Sequence, residues 1–122
     1  MWLFTRYGFY SVVCASGKSG ETLADTVMIR ARQKRHLRNL VTRFPELAAL
    51  AIVETPQTDY RYRIIAPKAL WVRVAAGLAD ELTWGNFKSE AHRHVGKSNA
   101  EYVKALNDVW EVMLAMQLRE PL

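Results

Sequence analysis

Hydrophobic positions change their period several times along the 122-residue chain, and each change marks an element. Residues 2–14 crowd aromatic and β-branched side chains together, which reads as extended backbone broken at Gly8. A glycine there fits a bulge in one strand or a kink between two, and the reading adopted is one strand that bends at Gly8. Trp2, Phe4, Phe9 and Val13 are its expected core residues, with Tyr7 or Tyr10 at the sheet surface. Residues 16–25 are a polar connection. Residues 26–32 then alternate, with Val27, Ile29 and Ala31 on one face and Met28, Arg30 and Arg32 on the other, the pattern of a half-buried strand.

The period shifts at residue 33. Leu37, Leu40, Val41 and Phe44 fall at i, i+3, i+4 and i+7, which predicts a helix over 33–44 ended by Pro45. Residues 50–54 and 60–65 predict a hairpin around the Pro56 and Asp59 turn signals. Pro67 opens a second helix with Leu70, Trp71, Val74, Leu78 and Leu82 inward, stopped at Gly85. Asn86 caps a third helix through Val95. Ser98 and Glu101 form a capping box for a last helix to about Leu118, with Tyr102, Val103, Leu106, Val109, Trp110, Met113 and Leu114 on its apolar face.

The expected fold class is α+β, a single domain over 1–122 in the order ββαββααα. It has a four-stranded, mainly antiparallel sheet with helices on one face. Its first six elements read as two ββα halves. Arg30 and Leu37 recur as Arg63 and Leu70 at the same offset of 33 residues.

Charge adds a direction to this outline. Residues 1–63 hold ten Lys/Arg and five Asp/Glu, whereas residues 64–122 hold seven of each, so the net +5 belongs to the first half. Arg30, Arg32, Lys34, Arg35, Arg38 and Arg43 meet no acid between Asp25 and Glu46. Such a field attracts an anion or an anionic surface. On the helix, Lys34 and Arg38 form an i,i+4 like-charge pair, which costs a few tenths of a kcal/mol without a counterion. In the stretch Thr-Asp-Tyr-Arg-Tyr-Arg at 58–63, strand alternation places Tyr60 and Tyr62 on one face and Arg61 and Arg63 on the other.

Other chemistries are poorly supported. The segment around Gly8 departs from the ribonucleoprotein strand motif in residue order and in position along the chain. His92 and His94 diverge on a helix, and Glu90 with His94 lacks further ligands, so no metal site is expected. Nucleophile elbows, paired cysteines and phosphate-cradling glycine loops are missing, and the lone Cys14 reads as a small hydrophobe. No cofactor is expected. Without an 18-residue apolar run or a secretory signal pattern, the expected location is cytoplasmic, in a bacterial-type protein.

The phrases around Trp2–Val13, Arg30–Arg32, Asp59–Arg63, Asn86–Lys88 and Val109–Trp110 resemble a group of small, uncharacterised bacterial proteins. Those proteins open on a Trp-Leu/Ile-Phe-Thr strand and carry Asp-Tyr-x-Tyr-Arg and Asn-Phe-Lys phrases. The resemblance spans nearly the whole chain and implies a free-standing single-domain protein, without bringing an activity or a cofactor. It picks out Arg30, Arg32, Asp59, Tyr60, Arg63, Asn86 and Lys88. Lys34, Arg35 and Arg38 lie outside its pattern.

Two arrangements are compatible with these positions. In one, Arg30, Arg32, Arg63 and Lys88 converge on an anion with Tyr60 as a stacking wall. In the other, Asp59 satisfies Arg63 and Asn86 only caps. The expected function is a binding or regulatory module that contacts nucleic acid or another polyanion through the basic helix. The candidate residues are Arg30, Arg32, Lys34, Arg35, Arg38, Tyr60, Arg63 and Lys88. The alternatives are a protein-interaction accessory factor docking through the apolar last helix, as a homodimer or on a host complex, and a small enzyme with an Arg/Tyr/Asp pocket.

Overall fold

A computed structural model describes all 122 residues and divides them into two compact units, Met1–Thr83 and Trp84–Leu122. The first is an α+β unit and the second is helical. The first unit contains β1 (Trp2–Phe4), β2 (Phe9–Ser16), β3 (Thr22–Ala31), α1 (Lys34–Arg43), a short 3-10 turn (Pro45–Leu47), β4 (Val53–Glu54), β5 (Tyr62–Pro67) and α2 (Lys68–Asp80). The sheet has five strands, not four, in the order β1-β2-β3-β5-β4, and every pairing is antiparallel.

The additional strand comes from Gly8. It closes a turn instead of bending a single strand: Thr5 and Gly8 exchange backbone hydrogen bonds at 2.9 and 3.3 Å. The Thr5 hydroxyl also accepts from the N–H groups of Tyr7 and Gly8. A side chain on residue 8 would have its Cβ 2.3 Å from Cγ of His36, so only glycine fits under that ring. The hairpin inverts the expected core. Phe9 pairs with Phe4 and shares its face, whereas Tyr10 pairs with Leu3 and turns inward. Tyr7 and Tyr10 are buried, while Phe4, Phe9 and Val13 are only half-buried and Trp2 is 70 % exposed. The bulge lies farther along, where the register slips between Cys14 and Ala15.

Half of the segment read as a polar connection is strand. Only a tight turn remains, with Gly17 N–H donating to Glu21 and Gly20 in the left-handed region at φ 81°. The core lies between the sheet and both helices. Val12, Val27, Ile29, Ala31, Ile64 and Ala66 meet Leu37, Leu40, Leu70, Trp71 and Val74, with Tyr10 among them. Burial of each large apolar side chain contributes about 1.5–3 kcal/mol. Leu82 lies beyond the end of α2 and is exposed, so it does not extend the inward face of that helix.

The two halves separated by 33 residues meet at the β3–β5 pairing, where the equivalent residues Arg30 and Arg63 lie directly opposite each other. α1 and α2 both cover the core face. The other face carries Trp2, Phe4, Phe9, Ser11, Met28, Arg30, Arg63 and Ile65, and neither α1 nor α2 lies on it.

The second unit pairs α3 (Phe87–Val95) with α4 (Ala100–Leu118). The Asn86 side chain accepts from Ser89 N–H at 2.9 Å and caps α3. The cap of α4 is Asn99, accepting from Tyr102 N–H at 3.3 Å, instead of the expected Ser98. Ala91, Val95, Tyr102 and Leu106 bury their side chains. At 1.5 Å per residue α4 is about twice as long as α3. Its later turns stay exposed, including Trp110, Met113 and Met116 at 51, 52 and 54 %. No helix is long and apolar enough to cross a membrane.

Candidate anion-binding site

The first turn of α1 runs against its own dipole. Lys34 and Arg35 sit at the positive end, no acid occupies that turn, and Gln33 makes no side-chain cap. The helix starts there because the strand period of β3 gives way to the Leu37/Leu40 stripe, which must turn towards the core. Beside this end lies an open pocket of about 340 Å³ lined by Arg32, Gln33, Lys34, Arg35, Arg38, Arg61 and Tyr62. Five of these residues are cations and none is a carboxylate. Two share charge with acids outside the lining. Arg32 meets Asp59 at 3.2 Å, and Arg61 meets Glu54 at 2.8 Å in a contact that also holds the Arg61 guanidinium above its usual pKa. Both pairs are largely solvent-exposed, where ion pairs are weak.

The pocket brings together Arg32, Lys34, Arg35 and Arg38 from the sequence-derived set and adds Arg61 and Tyr62. The strand reading of residues 58–63 conceals this pair. β5 begins only at Tyr62, because the Thr58 hydroxyl contacts Thr55, the Tyr60 carbonyl and Arg63 and holds the turn open up to Tyr60. Tyr60 and Tyr62 therefore do not share a face. Tyr62 packs on the core side with the Arg61 guanidinium 5.6 Å from its ring centre, whereas Tyr60 lies with Arg30 and Arg32. Thr58, a turn-forming residue next to Asp59, is the sequence signal that marks this break.

Arg30, Arg32, Tyr60 and Arg63 do converge, but Tyr60 is only 4 % exposed. The guanidinium carbons of Arg30 and Arg32 lie 4.5 and 4.2 Å from its ring centre. The ring therefore holds two arginines in place and offers no open wall for stacking. Arg30 also donates to the Ser11 hydroxyl at 2.7 Å. Arg63 donates to the Thr58 hydroxyl, the Tyr60 carbonyl and Met28 Sδ, and its buried Nε has no acceptor. No carboxylate pairs with either Arg30 or Arg63. Asp59 serves Arg32, so the expected Asp59–Arg63 pair does not form. Lys88 belongs to the second unit, where its ammonium sits 4.2 Å from the Trp110 ring centre.

Two buried polar groups fix the ends of α1. His36 accepts from Phe9 N–H at its Nδ1, and its backbone carbonyl accepts from the Tyr10 hydroxyl at 2.5 Å. Burial, reinforced by the charge of Arg35, lowers the imidazole pKa to about 4, so the ring is neutral at pH 7. At the other end, the nearly buried Glu81 carboxylate accepts from Arg43 Nε at 2.7 Å and from the Tyr7 hydroxyl at 3.0 Å, with Arg6 3.5 Å away. Burial and the hydrogen bond to Glu81 raise the Tyr7 pKa, and the same carboxylate raises that of Arg43. In the second unit Glu90 holds Arg93 through both of its oxygens. No group of three or more His, Cys, Asp or Glu residues is placed to hold a metal.

Comparison with protein-family models finds no match to this chain, and comparisons with curated proteins and with solved structures find none either.

Proposed function

We propose that the chain binds nucleic acid through its phosphate backbone, with the pocket at the start of α1 as the contact. The supporting observation is the lining itself, five cations without a carboxylate at a helix end whose own dipole also favours an anion. Phosphates entering there relieve the Lys34–Arg38 repulsion and the adverse first turn together. Contacts of this kind position a backbone and do not read sequence. Arg32 and Arg61 reach the ligand by loosening exposed pairs with Asp59 and Glu54, which costs little.

The test is binding of a labelled oligonucleotide at several salt concentrations. If Lys34, Arg35 and Arg38 each neutralise one phosphate, log K falls by about 2–3 for each log unit of salt. Arg38→Glu is expected to reduce that slope by about one phosphate's worth. Binding that ignores both salt and Arg38→Glu would overturn the reading.

A second reading is self-association through α4. Tyr102, Leu106, Val109, Met113 and Met116 repeat at alternating steps of four and three, the spacing of a coiled-coil seam. The stripe starts buried at Tyr102 and Leu106 and continues past the end of α3 into solvent. Between residues 107 and 118 the only charges are Asp108 and Glu111, too few for a helix meant to stay solvated. A second copy presenting the same stripe is the occupant of matching shape and chemistry.

A further inference from the structure

The sheet face that carries neither α1 nor α2 has a row the sequence does not reveal. Trp2 pairs with Ser11, Ser11 with Arg30, Arg30 with Arg63 and Arg63 with Val53, so one line of side chains crosses all five strands. Next to it runs Phe4 paired with Phe9, stacked at 4.5 Å between ring centres. Trp2 stands edge-on to Phe9 at 5.9 Å, and its indole is the exposed end of the row. Aromatic surface therefore occupies the β1–β2 side and cationic surface the β3–β5 side.

The cationic side is a physical anomaly. Like charges directly opposite each other on neighbouring strands destabilise a sheet. Arg30 and Arg63 are so placed, and every partner they have is neutral: Ser11, Thr58, Met28, the Tyr60 carbonyl and the Tyr60 ring. These contacts hold each guanidinium group in place without compensating its charge. The arrangement suits an anion.

We propose that this row binds single-stranded nucleic acid, with an unpaired base stacked on Trp2 and a phosphate held by Arg30 and Arg63. Trp2 and Arg30 lie two strand spacings apart, about 10 Å. A duplex hides the faces of its bases, so a stacking indole selects single strands. The proposal rests on the nucleic-acid reading above and narrows it to one class of ligand. Arg32 links the two surfaces, because it lies against Tyr60 and also lines the pocket.

The test uses the full chain and three probes of equal length: an oligothymidylate, an abasic deoxyribose-phosphate strand and a duplex. Affinities are read by fluorescence anisotropy. The oligothymidylate is expected to bind more tightly than the abasic strand by roughly 5- to 150-fold, the range of one base stacked on an aromatic ring. Trp2→Ala is expected to remove that preference and leave abasic affinity unchanged, while Trp2→Phe keeps most of it. Because Trp2 is largely exposed, matching melting curves for the three proteins are expected and confirm that the fold is intact. Arg30→Gln is expected to weaken both single strands. Equal affinity for thymidylate and abasic strands, or an unchanged preference in Trp2→Ala, would overturn the platform. The pocket reading has its own control: Arg38→Glu weakens all three probes if the pocket is right and none if it is wrong, whichever way the Trp2 result falls.

Discussion

His36 shows how one buried side chain ties the first hairpin to α1. Its ring excludes any side chain at residue 8, its Nδ1 receives the Phe9 N–H, and its carbonyl receives the Tyr10 hydroxyl. The folded imidazole titrates near 4, against 6.5 when exposed. Between those values the unfolded chain binds a proton that the native chain refuses, so stability is complete above about pH 6.5 and falls as pH drops towards 4. A shift of this size corresponds to about 3 kcal/mol. Melting midpoints measured from pH 7.5 to 4.5 are expected to fall in the wild type more steeply than in His36→Gln. Parallel curves would show that this ring does not set the acid limit.

Glu81 makes a comparable link at the far end of α1. Glu81→Gln removes the carboxylate that Arg6, Arg43 and the Tyr7 hydroxyl share. The expected loss in urea unfolding is about 2 kcal/mol, below the roughly 3–5 for a fully buried pair because Arg43 is itself part-exposed. A loss under about half a kcal/mol would mean that solvent already satisfies the group. Neither linkage is legible in the sequence, since both join residues dozens of positions apart. The aromatic reversal is different in kind. Gly8 was visible, but a turn and a bend predict opposite faces for Phe9 and Tyr10, and only the Phe4–Phe9 register decides between them.

At the scale of elements, hydrophobic period and capping residues together located every helix, and period the longer strands. α1, α3 and α4 start within a residue of where the Leu37 stripe, Asn86 and the Ser98–Glu101 box indicate. The miss falls on the short edge strand β1, whose three residues are too few for a period to register, whereas β4 lies inside the 50–54 segment of the expected hairpin. A stripe also predicts an apolar face without saying what covers it. The apolar face of α4 was legible to Leu114, yet burial stops at Leu106 because α3 is too short to cover the rest. Met113→Glu and Met116→Glu, each about half exposed, test whether a second copy does so. In sedimentation equilibrium the wild type is expected to form dimers that these changes shift to monomers, with helical content unchanged. A wild type that is monomeric at tens of micromolar would remove self-association as the role of this face.

Taken whole, the molecule keeps its charge excess in one unit. Met1–Thr83 contains twelve Lys/Arg and seven Asp/Glu, whereas Trp84–Leu122 contains five of each. The sequence located the excess in the first half and on the surface of α1. It could not show that Arg61 returns to the same pocket, because that depends on where the 55–60 turn releases β5. Nor could it show that Arg30 and Arg63 meet, although their shared offset of 33 residues hinted at equivalent places. The distribution separates two explanations of any observed binding. Attraction by net charge alone depends on total charge and is indifferent to position, whereas a built site is not. Lys97→Glu, at an exposed position in the second unit, changes net charge by the same two units as Arg38→Glu. Measured side by side at low salt, Arg38→Glu is expected to weaken oligonucleotide binding several-fold and flatten its salt dependence, with Lys97→Glu close to wild type. Equal losses from the two would reduce the basic pocket to a contributor to overall charge. Unequal losses in the expected order place the contact on α1, because nothing in net charge distinguishes the two substitutions.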